Sequence, residues 1–245
     1  MKVSALSDME YFNRGPRSLR DALDRIQPFA VIAELKRSSP SAGALRVNMN
    51  CPGIARDYES NGAAGISVLT DERFFSGSLE DLLAVRKSVE IPVLRKDFIL
   101  HEYQLIEAKA YGADAVLLIA GILERSQLHE LNAAAAELGL EALIELYDES
   151  EIDILDLERM KLLGINNRDL RTFEIDVHRS IAMAGKLPDD STLVSESGLR
   201  TSDDLRRLRN AGIRAALIGE HFMNSERPGQ ALKNLLQDFD DDTSR

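Results

Sequence analysis

The chain has 245 residues, of which 44% are hydrophobic and 29% are charged, a composition typical of a globular protein with a substantial core. Its formal net charge of −11 argues against general nucleic-acid binding, which needs a basic surface. No apolar run approaches the roughly 18 residues that span a bilayer, and the first 20 residues lack a secretory signal, so we expect a cytoplasmic protein without a membrane partner. The single cysteine, Cys51, excludes an internal disulfide framework.

Eight short apolar runs, each of strand length, alternate along the chain with stretches of helical periodicity. We predict strands at residues 30–35, 65–69, 91–94, 115–120, 141–146, 161–165, 192–195 and 215–219. The helical stretches include residues 78–89, 102–111, 124–138 and 202–211. Glycines at 62, 112, 139 and 212 follow helical stretches, as is usual at helix ends. Before the first strand we predict one helix around residues 18–26, with Ser18 as its N-cap.

This alternation indicates a parallel sheet with crossover helices, and eight units favour one closed (β/α)₈ TIM barrel over an open sheet. No G-x-G-x-x-G motif follows the first strand, which counts against a dinucleotide-binding fold. We therefore divide the chain into a short N-terminal helical extension at 1–29, the barrel at 30–236 and an acidic tail at 237–245.

The third strand ends on charged residues that are in register with its apolar positions. Side chains alternate along a strand, so Leu94 and Lys96 lie on one face. If that face is the core, Lys96 lies at its rim, and loss of hydration is expected to lower its pKa enough for acid catalysis. The alternative is a strand-end lysine whose ammonium reaches water.

The same pattern recurs at other strand ends, where a barrel carries its active site. Charged or amide residues in register with apolar alternates are Glu34, Lys36, Lys96, Glu145, Asn166 and Glu196. An inward charge is costly unless it is paired or functional, so the set predicts either a catalytic site or a buried ion-pair network.

The last two strand ends carry small residues and glycines before a helix. They read SESG at 195–198 and LIGE at 217–220. Barrels often bind phosphate at the loops after strands seven and eight, so we predict a phosphate site here; the alternative is that the glycines only turn the chain. Phe74, Phe75, Phe98 and Leu118 lie near strands two to four and form either core or an aromatic-binding wall. The four histidines have no metal-ligand spacing, and we interpret them as surface or packing residues.

Several motifs, in this order, resemble the indole-3-glycerol-phosphate synthase family over about residues 30–236. They are IAELKRSSPS at 32–41, ISVLTD at 66–71, FFSGS at 74–78, LRKDF at 94–98, GINNRDL at 164–170, SESG at 195–198 and LIG at 217–219. The resemblance implies a cytoplasmic (β/α)₈ enzyme of tryptophan biosynthesis that needs no cofactor and no metal. Its substrate is 1-(2-carboxyphenylamino)-1-deoxyribulose 5-phosphate, which undergoes ring closure, decarboxylation and dehydration.

The resemblance also implies residue roles. Lys96 is expected to be the general acid and Glu145 the acid–base partner in dehydration. Lys36 is expected to bind the anionic groups of the substrate and to share the acid work. Glu34 and Asn166 are expected to position these groups and the substrate, and Glu196 to contact substrate hydroxyls. Backbone groups at Ser197, Gly198, Gly219 and Glu220 are expected to hold the phosphate. The remaining expected substrate contacts are Ser39, Pro40, Phe75, Phe98, Leu118, Arg168 and Leu217.

Two departures from the family are visible. The segment before strand one, which in the family helps to cover the site, is shorter than usual. After Glu145 the chain reads Leu146-Tyr147, where a histidine often stands in place of Tyr147. Two other functions stay open: a Schiff-base aldolase with Lys96 as nucleophile, and a catalytically silent binding protein for phosphorylated sugars. In each case the partner is a small phosphorylated molecule, and we expect a monomer or a weak homo-oligomer.

Overall fold

The computed structural model of the protein describes residues 2–41, 43–169 and 171–243. Eight parallel strands form a closed barrel in which each strand pairs with the next, and the last pairs with the first. They are β1 (Ala30–Leu35), β2 (Gly65–Leu69), β3 (Val93–Lys96), β4 (Ala115–Ile119), β5 (Glu141–Leu146), β6 (Leu162–Asn166), β7 (Thr192–Glu196) and β8 (Ala215–Ile218). The predicted (β/α)₈ barrel is confirmed.

Helices surround the barrel and connect its strands. They are α1 (Val3–Ser7), α2 (Leu19–Arg25), α3 (Cys51–Ser60), α4 (Glu72–Phe75), α5 (Leu79–Arg86), α6 (Glu102–Ala110), α7 (Arg125–Glu137), α8 (His178–Ala184), α9 (Ser202–Asn210), α10 (Glu220–Met223) and α11 (Pro228–Thr243). Short 3₁₀ helices lie at Ala120–Ile122 and Glu149–Ile154, and a small hairpin pairs Ser38–Ser39 with Gly43–Ala44. The glycines predicted to follow helices all have positive φ, which explains why glycine occupies those positions.

Strand alternation separates two apolar layers. Side chains such as Ile32, Leu94, Leu143 and Val194 fill the barrel interior. Their neighbours along the strands pack outward against the helices in a larger cluster. The charged ends of the strands therefore project either into the barrel mouth or into the helix layer, according to their parity.

Helix α2 closes the amino end of the barrel. Its Leu19 and Leu23 are fully buried among the interior side chains, and Gly65 leaves room for Leu19, whose methyl would be 2.8 Å from a Cβ there. Ser18 caps the helix as predicted, since its Oγ accepts from the Asp21 N–H. The Ser18 hydroxyl and the Arg20 N–H both donate to the Glu141 carboxylate at the start of β5, at 2.6 and 2.9 Å. The N-terminal extension is thus docked on the barrel.

The C-terminal segment differs from its prediction. Residues 237–243 continue α11 instead of forming a separate acidic tail, because Phe239 is buried against Phe29 at a ring distance of 5.5 Å. The last two residues of the predicted tail, 244 and 245, lie outside the described residues. Among the described helices, none is both long and apolar enough to cross a membrane.

Candidate active site

The carboxyl ends of the strands surround a cavity of about 390 Å³. Its lining includes the predicted Glu34, Lys36, Ser39, Pro40, Phe75, Lys96, Phe98, Glu145, Asn166, Arg168, Glu196, Ser197, Gly198, Leu217, Gly219 and Glu220. These residues are far apart in the chain, and only barrel closure brings them together. Of the predicted site residues, Leu118 alone is not part of this lining.

Lys96 lies between two carboxylates. Its Nζ donates to Glu145 Oε2 at 2.8 Å and to Glu196 Oε2 at 2.9 Å. The three side chains are almost completely buried, with exposures of 12%, 4% and 2%. At such depth the attraction between opposite charges is strong, because little water screens it. The ammonium is therefore fixed at the centre of the barrel mouth.

The electrostatic environment reverses the expected pKa of Lys96. Burial by itself would lower it, but the charges of Glu145, Glu196 and Glu34 outweigh burial, and the pKa of Lys96 is raised. The sequence-based expectation of a lowered pKa was therefore wrong, because it considered lost hydration without the carboxylates that other strands contribute.

The two carboxylates have opposite pKa shifts. Burial raises the pKa of Glu196 to about 8, assisted by the nearby Glu145 and Glu34 and opposed by Lys96. For Glu145 burial also acts upward, but Lys96 and a hydrogen bond from Asn166 overcome it, and the pKa is lowered. Of the two carboxyls, Glu145 is thus the one that keeps its charge more strongly beside Lys96, and Glu196 is the one that takes up a proton more readily.

Two glycines make room for the buried carboxylates. A Cβ on Gly164 would lie 2.3 Å from Glu196 Oε1, and a Cβ on Gly219 would lie 2.5 Å from Glu34 Oε1. Glu196 Oε1 is buried and has no hydrogen-bond partner among the described residues. A buried oxygen of this kind is suited to bind a hydroxyl group of a ligand.

A second ion pair lies at the end of β1. Lys36 Nζ is 2.8 Å from Glu34 Oε1, with side-chain exposures of 15% and 6%. Both residues face the cavity because they are two positions apart on the same strand face. The site therefore contains two ammonium groups, each held by carboxylates, at adjacent parts of one cavity.

Asn166 connects the acid–base groups to the loop after β7. Its Nδ2 donates to Glu145 Oε1 at 3.2 Å, and its Oδ1 accepts from the Ser197 hydroxyl at 2.9 Å. Ser197 and Gly198 follow with φ of 69° and 83°. A left-handed serine is uncommon and needs support from its surroundings.

Two arginines hold Glu220, the first residue of α10. Arg168 and Arg200 contact its two carboxylate oxygens at 3.2 and 3.1 Å. Both arginines also line the cavity, next to Gly198 and Gly219. The end of the cavity formed by the loops after β7 and β8 thus combines small residues with two guanidinium groups, an arrangement suited to an anion.

The opposite side of the cavity is apolar. The rings of Phe75 and Phe98 are tilted by 34° with their centroids 6.4 Å apart, and Phe74 meets Phe98 edge-on at 6.1 Å. The prediction that Leu118 belongs to this wall was wrong. Leu118 points outward into the helix layer, whereas its neighbours Leu117 and Ile119 have the inward parity and line the cavity.

Sequence reasoning missed several lining residues. Phe173 and Ile175 lie on the loop after β6 and line the cavity although each is about 40% exposed. His221, interpreted as a surface or packing residue, lines the cavity at the start of α10; burial and the charge of Arg200 lower its pKa. The position of His221 directly after the Gly219-Glu220 strand end was the sequence signal that could have placed it in the site.

Within the part of the chain that the structure describes, no three His, Cys, Asp or Glu side chains are arranged to hold a metal ion. The described residues that line the cavity all lie at or after Glu34.

Fold and site together define a (β/α)₈-barrel enzyme with paired acid–base groups at the carboxyl ends of its strands. Comparison with known families is more specific. Residues 2–235 match the family model described as indole-3-glycerol phosphate synthase. The chain therefore belongs to the indole-3-glycerol phosphate synthase family, whose members are carboxy-lyases.

Relatives of the same name are similar over most of their length. The indole-3-glycerol phosphate synthase of Salinibacter ruber is 49% identical over 226 residues, covering 92% of this chain and 83% of the relative. That of Rhodopirellula baltica is 48% identical over 220 residues, covering 90% and 85%.

Solved structures with low identity support the fold alone. A thiamine phosphate pyrophosphorylase from Pyrococcus furiosus has a TM-score of 0.66 at 15% identity, over 91% of this chain and 98% of that one. The tryptophan synthase alpha subunit of Legionella pneumophila has a TM-score of 0.66 at 12% identity, over 91% and 97%.

Proposed function

We propose that the chain converts 1-(2-carboxyphenylamino)-1-deoxyribulose 5-phosphate to indole-3-glycerol phosphate, the reaction of its family. The observation that carries this proposal is the position of Lys96 Nζ between Glu145 and Glu196, at 2.8 and 2.9 Å, in a cavity with an apolar wall on one side and two arginines on the other. The proposed substrate matches this arrangement, because it has an aromatic ring at one end and a phosphate at the other.

Ring closure is the first step that the site supports. The aromatic carbon attacks the ketone carbon, and negative charge develops on the ketone oxygen, where the Lys96 ammonium stabilises and then protonates it. The raised pKa of Lys96 does not prevent this transfer, because an alkoxide is a stronger base than a lysine amine. A ketone oxygen that replaces one carboxylate at Nζ also removes part of the cause of the raised pKa.

Proton transfer from Lys96 prepares the dehydration step. The positive charge of Lys96 is what holds the pKa of Glu145 low. Once that charge is lost, Glu145 becomes a stronger base, and it is placed to take the proton that leaves as the indole forms. Carbon dioxide leaves between these steps, and its loss restores the benzene ring. The hydroxyl then leaves as water with a proton from the second ammonium of the cavity, Lys36, which solvent reprotonates after turnover, and the five-membered ring becomes aromatic.

The remaining groups are proposed to bind and orient the substrate. Lys36 binds the substrate carboxylate, held in place by Glu34 at 2.8 Å. The loops at Ser197-Gly198 and Gly219-Glu220 hold the phosphate beside Arg168, and this remote contact helps to orient the reacting carbons. Phe75 and Phe98 contact the aromatic ring, and Glu196 Oε1 contacts a sugar hydroxyl.

The environment of Lys96 argues against the aldolase alternative. A Schiff base needs a neutral amine as nucleophile, but two carboxylates stabilise the charged form of Lys96. Borohydride treatment with substrate should leave no adduct on Lys96. A silent binding protein is also disfavoured, because its ligand would not require an ammonium held between two buried carboxylates.

The direct test is a fluorescence assay for indole formation from the carboxyphenylamino substrate, with Lys96→Met as the impaired control. Turnover by the native chain that the substitution lowers by at least about 10²-fold is the expected result. No indole product from a folded native chain would refute the proposed function. We also propose that the protein acts in the cytoplasm as a monomer or weak homo-oligomer, which cell fractionation and sedimentation velocity can test.

A further inference from the structure

A second asparagine, Asn167, follows Asn166 but is not part of the cavity lining. It is completely buried, and its backbone joins neighbouring segments. Its N–H donates to the Glu196 carbonyl at 2.9 Å, and its carbonyl accepts from the Asp176 N–H at 2.9 Å. Asn167 therefore lies behind the end of β7, next to the loop that lines the cavity.

The side-chain amide of Asn167 uses all of its hydrogen-bonding capacity. Nδ2 donates to Ser195 Oγ at 3.0 Å and to the Ser197 carbonyl at 3.1 Å. Oδ1 accepts from the Ser180 hydroxyl at 2.7 Å and from the Ser180 N–H at 3.2 Å. Four satisfied bonds at a fully buried position fix the orientation of the amide, because any rotation would leave a polar atom unpaired.

These bonds bear directly on the left-handed turn at Ser197-Gly198. Ser197 has φ of 69°, a conformation that a serine keeps only when its surroundings determine it. Asn166 holds its hydroxyl at 2.9 Å, and Asn167 holds its carbonyl at 3.1 Å. Hydrogen bonds thus hold the turn on two sides, from Asn166 on the cavity side and from Asn167 on the buried side.

We propose that Asn167 is a positioning residue that holds the Ser197-Gly198 turn in the conformation that binds the substrate phosphate, an inference that rests on the function proposed above. Asn167 does not touch the substrate. Its removal frees the Ser197 carbonyl, and the turn then relaxes towards ordinary backbone conformations in which its N–H groups no longer converge on the phosphate.

The test compares two ligands that differ only in the phosphate. Indole-3-glycerol phosphate and its dephosphorylated form, indole glycerol, are titrated by fluorescence against the native chain, Asn167→Ala and Asn167→Asp. Asn167→Asp keeps the shape and the acceptor for Ser180 but loses the donor to Ser197. We expect about tenfold or greater weakening for the phosphorylated ligand and less than about threefold for the other. In steady-state kinetics KM should rise by more than kcat falls.

Ser180→Ala is the matched control. It removes a buried hydrogen bond to the same amide but leaves the bond to Ser197, so it should lower the Tm without changing the ratio of the two affinities. If the Asn167 variants also keep the native ratio, Asn167 is only structural and the inference fails. If the native chain itself shows no preference for the phosphorylated ligand, the proposed phosphate site fails instead, and the two failures are distinguishable.

Discussion

Replacement of Lys96 by methionine should affect stability as well as activity. Methionine has a similar length and no charge, and replacing an isolated inward lysine in this way would be neutral or stabilising. Here, however, the substitution leaves Glu145 buried without its cation. The folded variant can then keep the Glu145 carboxyl buried only if that carboxyl takes up a proton.

The pH dependence of this loss follows from the ordinary pKa of 4.5 for Glu145. In the variant, burial without Lys96 raises the folded-state pKa of Glu145, so stability is present below pH 4.5 and is lost as pH rises towards the new pKa. Protonation of Glu145 at pH 7.5, three pH units above its ordinary pKa of 4.5, costs about 4 kcal/mol at about 1.4 kcal/mol per unit. We expect a loss of that size in the free energy of unfolding at pH 7.5, falling to near zero at pH 4.5.

Urea denaturation of the native chain and of Lys96→Met at pH 5, 6.5 and 7.5 measures this loss. The double variant Lys96→Met/Glu145→Gln should recover most of the stability, and Lys233→Met, on the exposed face of α11, is the control for a lost lysine. A deficit that is equal at all three pH values, or no recovery in the double variant, would refute the reasoning. Single-turnover rates of Lys96→Met should fall by roughly 10²–10⁴-fold.

Three further substitutions test other parts of the site and fold. Glu145→Gln should bind substrate but accumulate the closed, decarboxylated intermediate before water loss, which rapid-quench mass spectrometry detects; unchanged turnover would remove Glu145 from the mechanism. Gly219→Ala places a Cβ 2.5 Å from Glu34 Oε1, so it should disturb the Glu34–Lys36 pair and lower kcat as well as raise KM; an effect on KM alone would contradict this. Leu23→Ala should lower the unfolding free energy by about 2–5 kcal/mol in urea titrations with kcat nearly unchanged, and unaltered stability would show that α2 is not part of the core.

The strand boundaries show how far local pattern determines this fold. β1, β2 and β5 begin and end at the predicted residues, because their apolar runs coincide with full pairing on both sides. β3 is displaced from 91–94 to Val93–Lys96. Its polar end is strand because neighbouring strands pair with it and because Glu145 and Glu196 compensate the Lys96 charge, which no local window reveals.

The sequence predicted which residues belong to the site, but it did not predict the directions of their pKa shifts. Alternation at strand ends indicated which side chains face the mouth, and Leu118 was misplaced only because its parity was not applied. The pKa of Lys96 depends on carboxylates 49 and 100 residues away in the chain, so its direction required the closed barrel. Phe173 and His221 reach the cavity from a loop and a short helix, where no simple periodicity applies.

The packing of Leu19 and Leu23 fills the amino end of the barrel interior, and the site cavity lies at the carboxyl ends of the strands. Substrate and product occupy this one cavity, so a bound product excludes the next substrate molecule. Product added to initial-rate assays should consequently inhibit competitively with respect to substrate, and a noncompetitive pattern would show that product also binds enzyme that already holds substrate. Release of the bulky phosphorylated product therefore determines when the site can be filled again.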